Sequence, residues 1–157
     1  MEKKRIKSYT LVEIMLVVGI IMLLTTISIP GIQRSRMNAN QKAAVTSLYA
    51  VSMAAQSYRS VGSSYPNVLN DLGAAATPPY LDTVLACAAQ PCSKQGYNFY
   101  IQNGDADEFA AIAFPQNCGS TGRKVYWVDE TGVMRYSDNA NCNLGQSWVG
   151  SDGTVLE

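Results

Sequence analysis

From Tyr9 to Ile29 the sequence runs through 21 residues in which Glu13 is the only charge. About 20 apolar residues span a bilayer core, so length and composition predict a membrane-crossing helix. Pro30 follows, and it predicts a bend because it lacks an N–H and crowds the carbonyl four residues back. Thr25, Thr26 and Ser28 stand ready to bond carbonyls freed by that bend. From residue 31 to 65 the pattern changes. Ala44, Leu48, Val51, Ala55 and Tyr58 fall at helical spacing, while Asn40, Gln41, Ser47 and Arg59 read as the opposite, polar face. The two halves predict one helix from Thr10 to Ser60, roughly 75 Å long at 1.5 Å per residue. The run Val61-Gly62-Ser63-Ser64-Tyr65-Pro66 ends it.

Beyond Pro66 the periodicity shortens. Val68, Leu69 and Leu72 suggest a short helix before Gly73, followed by irregular, small-residue chain through Cys87 and Cys92. Strand signals then occur at Tyr97–Ile101, Phe109–Phe114, Val125–Val128 and Val133–Tyr136. Asn103-Gly104-Asp105 and Asp129-Glu130-Thr131-Gly132 supply turn chemistry. The predicted fold is α+β: a long N-terminal α-helix, with a membrane-spanning half and an amphipathic half, packed on a small antiparallel β-sheet head of three to four strands.

Charge sharpens this picture. The chain balances 12 basic against 12 acidic residues, but Lys3, Lys4, Arg5 and Lys7 against Glu2 give residues 1–8 a net +3 and leave the rest at −3. A basic cluster before an apolar span predicts a cytoplasmic N-terminus. The acidic remainder argues against nucleic acid as a partner, which needs a basic footprint. With no His in 157 residues, a catalytic His or a His-based metal site is excluded. There is no nucleophile–base pair and no phosphate-binding loop, so no enzyme and no cofactor are expected. Asp129, Glu130, Asp138 and Asp152 fit no cation-loop spacing and read as turn and solvent-facing acids. The Tyr residues at 9, 49, 58 and 65 read as packing groups rather than an electron path.

Glu13 is the unusual residue. A charged side chain mid-membrane costs about 2.5–3.5 kcal/mol on insertion scales, less near an interface, unless it finds a partner. An ordinary secretory signal does not fit, because Ser28-Ile29-Pro30 is a poor cleavage context. The run Lys7-Ser8-Tyr9-Thr10-Leu11-Val12-Glu13-Ile14-Met15, continuing to Ile29-Pro30, resembles the class III signal and first helix of type IV pilins, and equally that of type II secretion pseudopilins. Leader, Glu and Pro stand at the family spacing, over about the first fifth of the chain. Ser8 replaces the usual Gly before the cut and Tyr9 the usual Phe after it. Met22 stands where the family tends to have Gly, and Gly19 lies nearby instead.

The resemblance implies a leader at 1–8, a transmembrane and filament-core half at 9–30, an amphipathic half at 31–65 and a head at 66–157. It implies cleavage between Ser8 and Tyr9 by a prepilin peptidase, N-methylation of Tyr9, and a role for Glu13 in assembly, meeting the new amine of a neighbouring copy. The expected partners are therefore other copies in a helical homopolymer, the peptidase, the pilus or type II secretion assembly machinery, and the inner membrane before assembly. The expected location is the bacterial inner membrane, head in the periplasm, and then a surface pilus. A pseudopilin is the alternative, and a minor pilin serving as adhesin or DNA-uptake receptor a more distant one. The segment from Cys92 to Tyr97 and the Val128–Arg135 hairpin look like the heads of short pilins and pseudopilins. Four cysteines beyond a membrane segment suit disulfides in an oxidising compartment, with three pairings open. The preferred set is Cys87–Cys92, closing a tight loop around Pro91, and Cys118–Cys142, fastening the C-terminal tail to the sheet much as the terminal disulfide loop of many pilins does.

Overall fold

Thr10 starts the first helix. Its Oγ1 accepts from the Glu13 N–H at 3.2 Å, and its carbonyl accepts from the Ile14 N–H at 3.3 Å. A Thr N-cap satisfies donors that the first helical turn leaves open. The helix, α1, then spans Leu11–Val61, 51 residues, and runs through Pro30. The computed structural model describes residues 9–102, 104–138, 142 and 154–156. The chain divides into two compact units, one ending at Ser35 and one beginning at Arg36.

The first unit holds the apolar part of α1. Among the described residues α1 is the one helix long and apolar enough to cross a membrane, by length and composition. Its apolar side chains are open on all sides: Leu11 is 76% exposed and Leu23 66%. Burying each such side chain is worth about 1.5–3 kcal/mol, so this surface calls for lipid or for other helices around it. Thr25, Thr26 and Ser28 turn their hydroxyls back onto the carbonyls of Met22, Leu23 and Leu24 at 2.8–3.0 Å. Those acceptors lie upstream of Thr26, whose carbonyl is the one Pro30 leaves without its helical donor.

In the second unit α1 from Arg36 onward packs on a sheet. Ala44, Leu48, Val51, Ala54 and Ala55 form its buried stripe, the three- and four-residue spacing of an amphipathic helix. Ser47 departs from the expected polar face: at 8% exposure it is buried. It follows Ala44 by three residues and borders Leu48, so its small side chain lies at the edge of the stripe. Asn40 and Gln41 are half-buried rather than solvent-facing.

The sheet has six strands among the described residues: β1 (Cys92–Lys94), β2 (Tyr97–Gln102), β3 (Ala110–Pro115), β4 (Lys124–Asp129), β5 (Met134–Asp138) and β6 (Thr154–Val155). Each pairs antiparallel with the next, in the order β1-β2-β3-β4-β5-β6. The fold is thus α+β. The expected count of three to four strands was low by the two edges. At 3 and 2 residues, β1 and β6 are too short to show an alternating pattern, and only pairing with β2 and β5 defines them. The β1–β2 turn is two residues, Gln95-Gly96, both with positive φ (48° and 78°), as a tight hairpin requires.

Alternation along the strands sends Tyr97, Phe99, Ile101, Ala111, Ala113, Tyr126, Val128 and Met134 into the core beneath α1. The opposite face carries a smaller cluster of Ile112, Val125, Trp127 and Cys142, with Tyr100 and Phe114 against it. The short helix expected before Gly73 is a 3-10 turn, Leu69–Leu72, and Asp71 Oδ2 accepts from the Asn67 and Val68 N–H groups at 3.2 Å.

Candidate functional site

The residues of interest fall into two groups, one at the start of α1 and one in the sheet unit. Tyr9 is 70% exposed and precedes the capping Thr10. Ser8 and the basic leader lie outside the described residues. Glu13 sits in the first turn of α1, where the helix dipole favours a negative charge. Its backbone is held by Thr10, while its exposed carboxylate makes no hydrogen bond or ion pair among the described residues. The sequence signal Thr10-x-x-Glu13 is the capping-box pattern, and it was readable beside the membrane argument. Only one half of the box is formed: Thr10 caps Glu13 and the carboxylate is left for something else.

In the second unit the structure bonds Cys87 to Cys92 and Cys118 to Cys142, each pair with Cα atoms 5.6 Å apart. The first joins the irregular segment to β1, where Cys92 is buried. The second joins the β3–β4 loop to the chain following β5, and Cys142 packs into the outer apolar cluster.

Several anchoring residues carried no sequence signal. Gln90 lies in the loop before β1. Its Oε1 accepts from Leu69 N and Ile101 N (3.4 and 3.1 Å) and its Nε2 donates to Ile101 O at 2.9 Å. It thereby ties the 3-10 turn to β2. Arg59 donates to the Tyr65 hydroxyl at 3.1 Å and to Asp107 at 3.0 Å, pinning the end of α1 to the β2–β3 loop. Asn40 Nδ2 donates to Thr121 O at 3.2 Å from the other end of the same helical segment. Such long-range polar pairs have no local spacing to betray them.

Of the four acids weighed as a cation site, the three described ones do not converge: Asp129 and Glu130 lie in the β4–β5 turn and Asp138 at the far end of β5. Asp129 accepts from the Thr131 N–H and hydroxyl in the β4–β5 turn and lies 4.0 Å from Arg135. Asp138 stands opposite Lys124 in the β4–β5 register, and Asp152 lies outside the described residues. No group of three metal-ligating side chains occurs among the described residues.

Among the described residues, electrostatic perturbation falls on three buried or half-buried tyrosines and one surface ion pair. Burial pushes the Tyr97 hydroxyl far above the ordinary phenol range, with Tyr126 adding to it, while that hydroxyl donates to Lys124 O at 3.0 Å. Tyr126 is pushed up to about 12, chiefly by burial and then by the Asp138 and Tyr136 charges. Tyr100 is raised by burial alone. Asp82 is held below the usual carboxylate range by the Lys94 ammonium, 2.9 Å away, against a smaller opposing effect of burial. None of these groups faces a reactive partner.

With this geometry in view, one curated protein gives a direct comparison. The chain is 29% identical over 79 residues to Type II secretion system core protein G of Aeromonas hydrophila. The match takes in 50% of this chain and 55% of that protein, so the chain spans about half the length of the relative it matches. No family model matches the sequence, and no solved structure matches it. The similarity supports the resemblance to pilins and pseudopilins seen in the Lys7–Pro30 motif.

Proposed function

We propose that this chain is a structural subunit of a type IV pilin filament: made as a prepilin, cut between Ser8 and Tyr9, methylated on Tyr9, and polymerised from the inner membrane. The observation that carries this reading is the first turn of α1. A carboxylate with no partner among the described residues stands at the start of the exposed apolar part of α1, one turn from the amine that cleavage would create. In lipid that carboxylate is costly. In a bundle of copies, Glu13 of one subunit meets the Tyr9 amine of another, and the apolar surfaces cover one another. The pair sets docking and registry more than net stability, since buried ion pairs repay little beyond their desolvation. Pro30 bends the helix where the apolar half ends. The disulfide-clipped sheet unit forms the outer surface and performs no chemistry of its own.

A second reading, a pseudopilin in a type II secretion filament, is favoured by the similarity to core protein G. Both readings share cleavage, methylation and helical polymerisation, and they differ in where the filament goes. Intact mass of protein from sheared surface fibres tests the shared part: loss of Met1 to Ser8, one added methyl and two disulfides are expected. Recovery of the full-length chain as solitary molecules would refute both. Long fibres outside the cell favour the pilus, and loss of exported hydrolases on deletion of the gene favours secretion.

A further inference from the structure

Between Glu13 and Asp71 the sequence holds Arg34, Arg36, Lys42 and Arg59 and no Asp or Glu, whereas from Asp71 onward there are ten acids and four bases. Within the Arg36–Glu157 unit the fold sorts these charges by end. Gln102 pairs with Ala110 and Ala110 with Asp129, so the β2–β3 loop and the β4–β5 turn share one end of the sheet. The Val61 end of α1 lies there too, since Tyr65 N donates to Asp105 O at 2.9 Å and Arg59 reaches Asp107. Asp105, Asp107, Glu108, Asp129 and Glu130 gather at this end. Arg59 and Arg135 engage Asp107 and Asp129, while exposed Glu108 and Glu130 have no ion pair among the described residues.

The opposite end is basic. Arg36 and Lys42 are exposed on α1 and have no carboxylate partner among the described residues. Asn40 ties this part of the helix to Thr121, which brings in exposed Arg123 and half-buried Lys124 at the start of β4. Two acids also lie here: Asp82 is taken by Lys94, and Asp138 stands opposite Lys124. Lys42 lines a groove of about 550 Å³ together with Asn38, Gln41, Thr46 and Tyr126, and with the apolar side chains of Val45 and Leu156. An ammonium with no acid beside it, next to the amides of Asn38 and Gln41, suits a carboxylate.

We infer that the acidic end of one copy docks on the basic groove of a second copy, with Glu108 and Glu130 answering Lys42 and Arg36. Every copy carries both halves of this contact, and they sit at opposite ends of the same unit. A head-to-tail contact of that kind repeats without closing whenever its rotation does not complete a ring, and it then builds an open helix. The inference rests on the filament reading above and adds a head contact to the one at Glu13.

Zero-length carbodiimide cross-linking of wild-type filaments, followed by peptide mapping, tests it. Lys42 and Arg59 are about 25 Å apart along the helix, so a bond from Lys42 to the loop beside Arg59 must join two chains. The expected product links Lys42 to Asp105, Asp107, Glu108 or Glu130. Reversing charge with Arg36→Glu and Lys42→Glu should lower filament yield about tenfold, since facing like charges are strongly disfavoured. Adding Glu108→Lys and Glu130→Lys should restore it. The variants should keep both disulfides and the wild-type unfolding midpoint. Wild-type fibres in which Lys42 joins other acids or none, or charge-reversed chains that polymerise at wild-type yield, would overturn the head contact and leave the filament reading standing. Failure of the wild-type chain to form fibres would remove both.

Discussion

Single residues decide two things here, how α1 begins and how closely the β3–β4 loop can approach β2. At the first, Glu13→Ala keeps the Thr10 cap, which uses the Glu13 backbone, and removes only the free carboxylate. The expected result is normal membrane insertion with loss of filaments, read from sheared-fibre yield. At the second, a Cβ on Gly122 would clash with the hydroxyl of fully buried Tyr97, itself bonded to Lys124 O. Gly122→Ala should therefore destabilise the sheet unit by about 1–3 kcal/mol in denaturant unfolding, the usual cost of overpacking. Tyr126 gives a pH signature. Its folded hydroxyl is raised to about 12 from an ordinary 10.0, so the neutral form favours the fold. That stabilisation is complete below pH 10 and is lost as pH rises towards 12. Stability should fall over that window, and Tyr126→Phe should flatten the slope.

At the scale of elements, the sheet is held at its margins by covalent and polar clips rather than by long edge strands. The Cys118–Cys142 bond closes a separation of 24 residues and the Cys87–Cys92 bond one of 5. On the chain-entropy account the larger loop contributes about 3 kcal/mol and the smaller about 2. Replacing Cys118 and Cys142 together by Ser should thus cost more than replacing Cys87 and Cys92, measured as the shift in unfolding free energy. Exposed pairs such as Arg59–Asp107 contribute less than about 1 kcal/mol and serve to fix the loop's position.

At the scale of the molecule, the two units answer to different surroundings. Among the described residues the Arg36–Glu157 unit contains the buried core, whereas the part before it offers apolar surface and the unpaired Glu13. A chain beginning at Arg36, oxidised, should fold and stay monomeric without detergent. The full chain should need detergent or lipid to avoid association, and size-exclusion chromatography separates the outcomes. The head-to-tail charge contact, lying outside any lipid, should weaken with salt, since screening reaches about 10 Å at 0.1 M.

Local pattern carried much of this. The 21-residue apolar run, the 44-48-51-55 stripe, the Asp129–Gly132 turn and the alternation at Tyr97–Ile101 are short-range signals, each set by the period of one backbone geometry, and they determined the α+β plan. The motif around Glu13 carries the resemblance to pilins and pseudopilins for the same reason, since leader, acid and proline act at fixed spacing along one helix. What needed the tertiary structure was everything made by residues distant in sequence. Edge strands of two and three residues exist only through pairing. Ser47 is buried because it borders the stripe of α1 that packs on the sheet. Gln90, Arg59 and Asn40 find partners 6 to 81 residues away. The sorting of charge to opposite ends of the sheet unit belongs with these, because composition counts charges and only the fold decides which of them stand together.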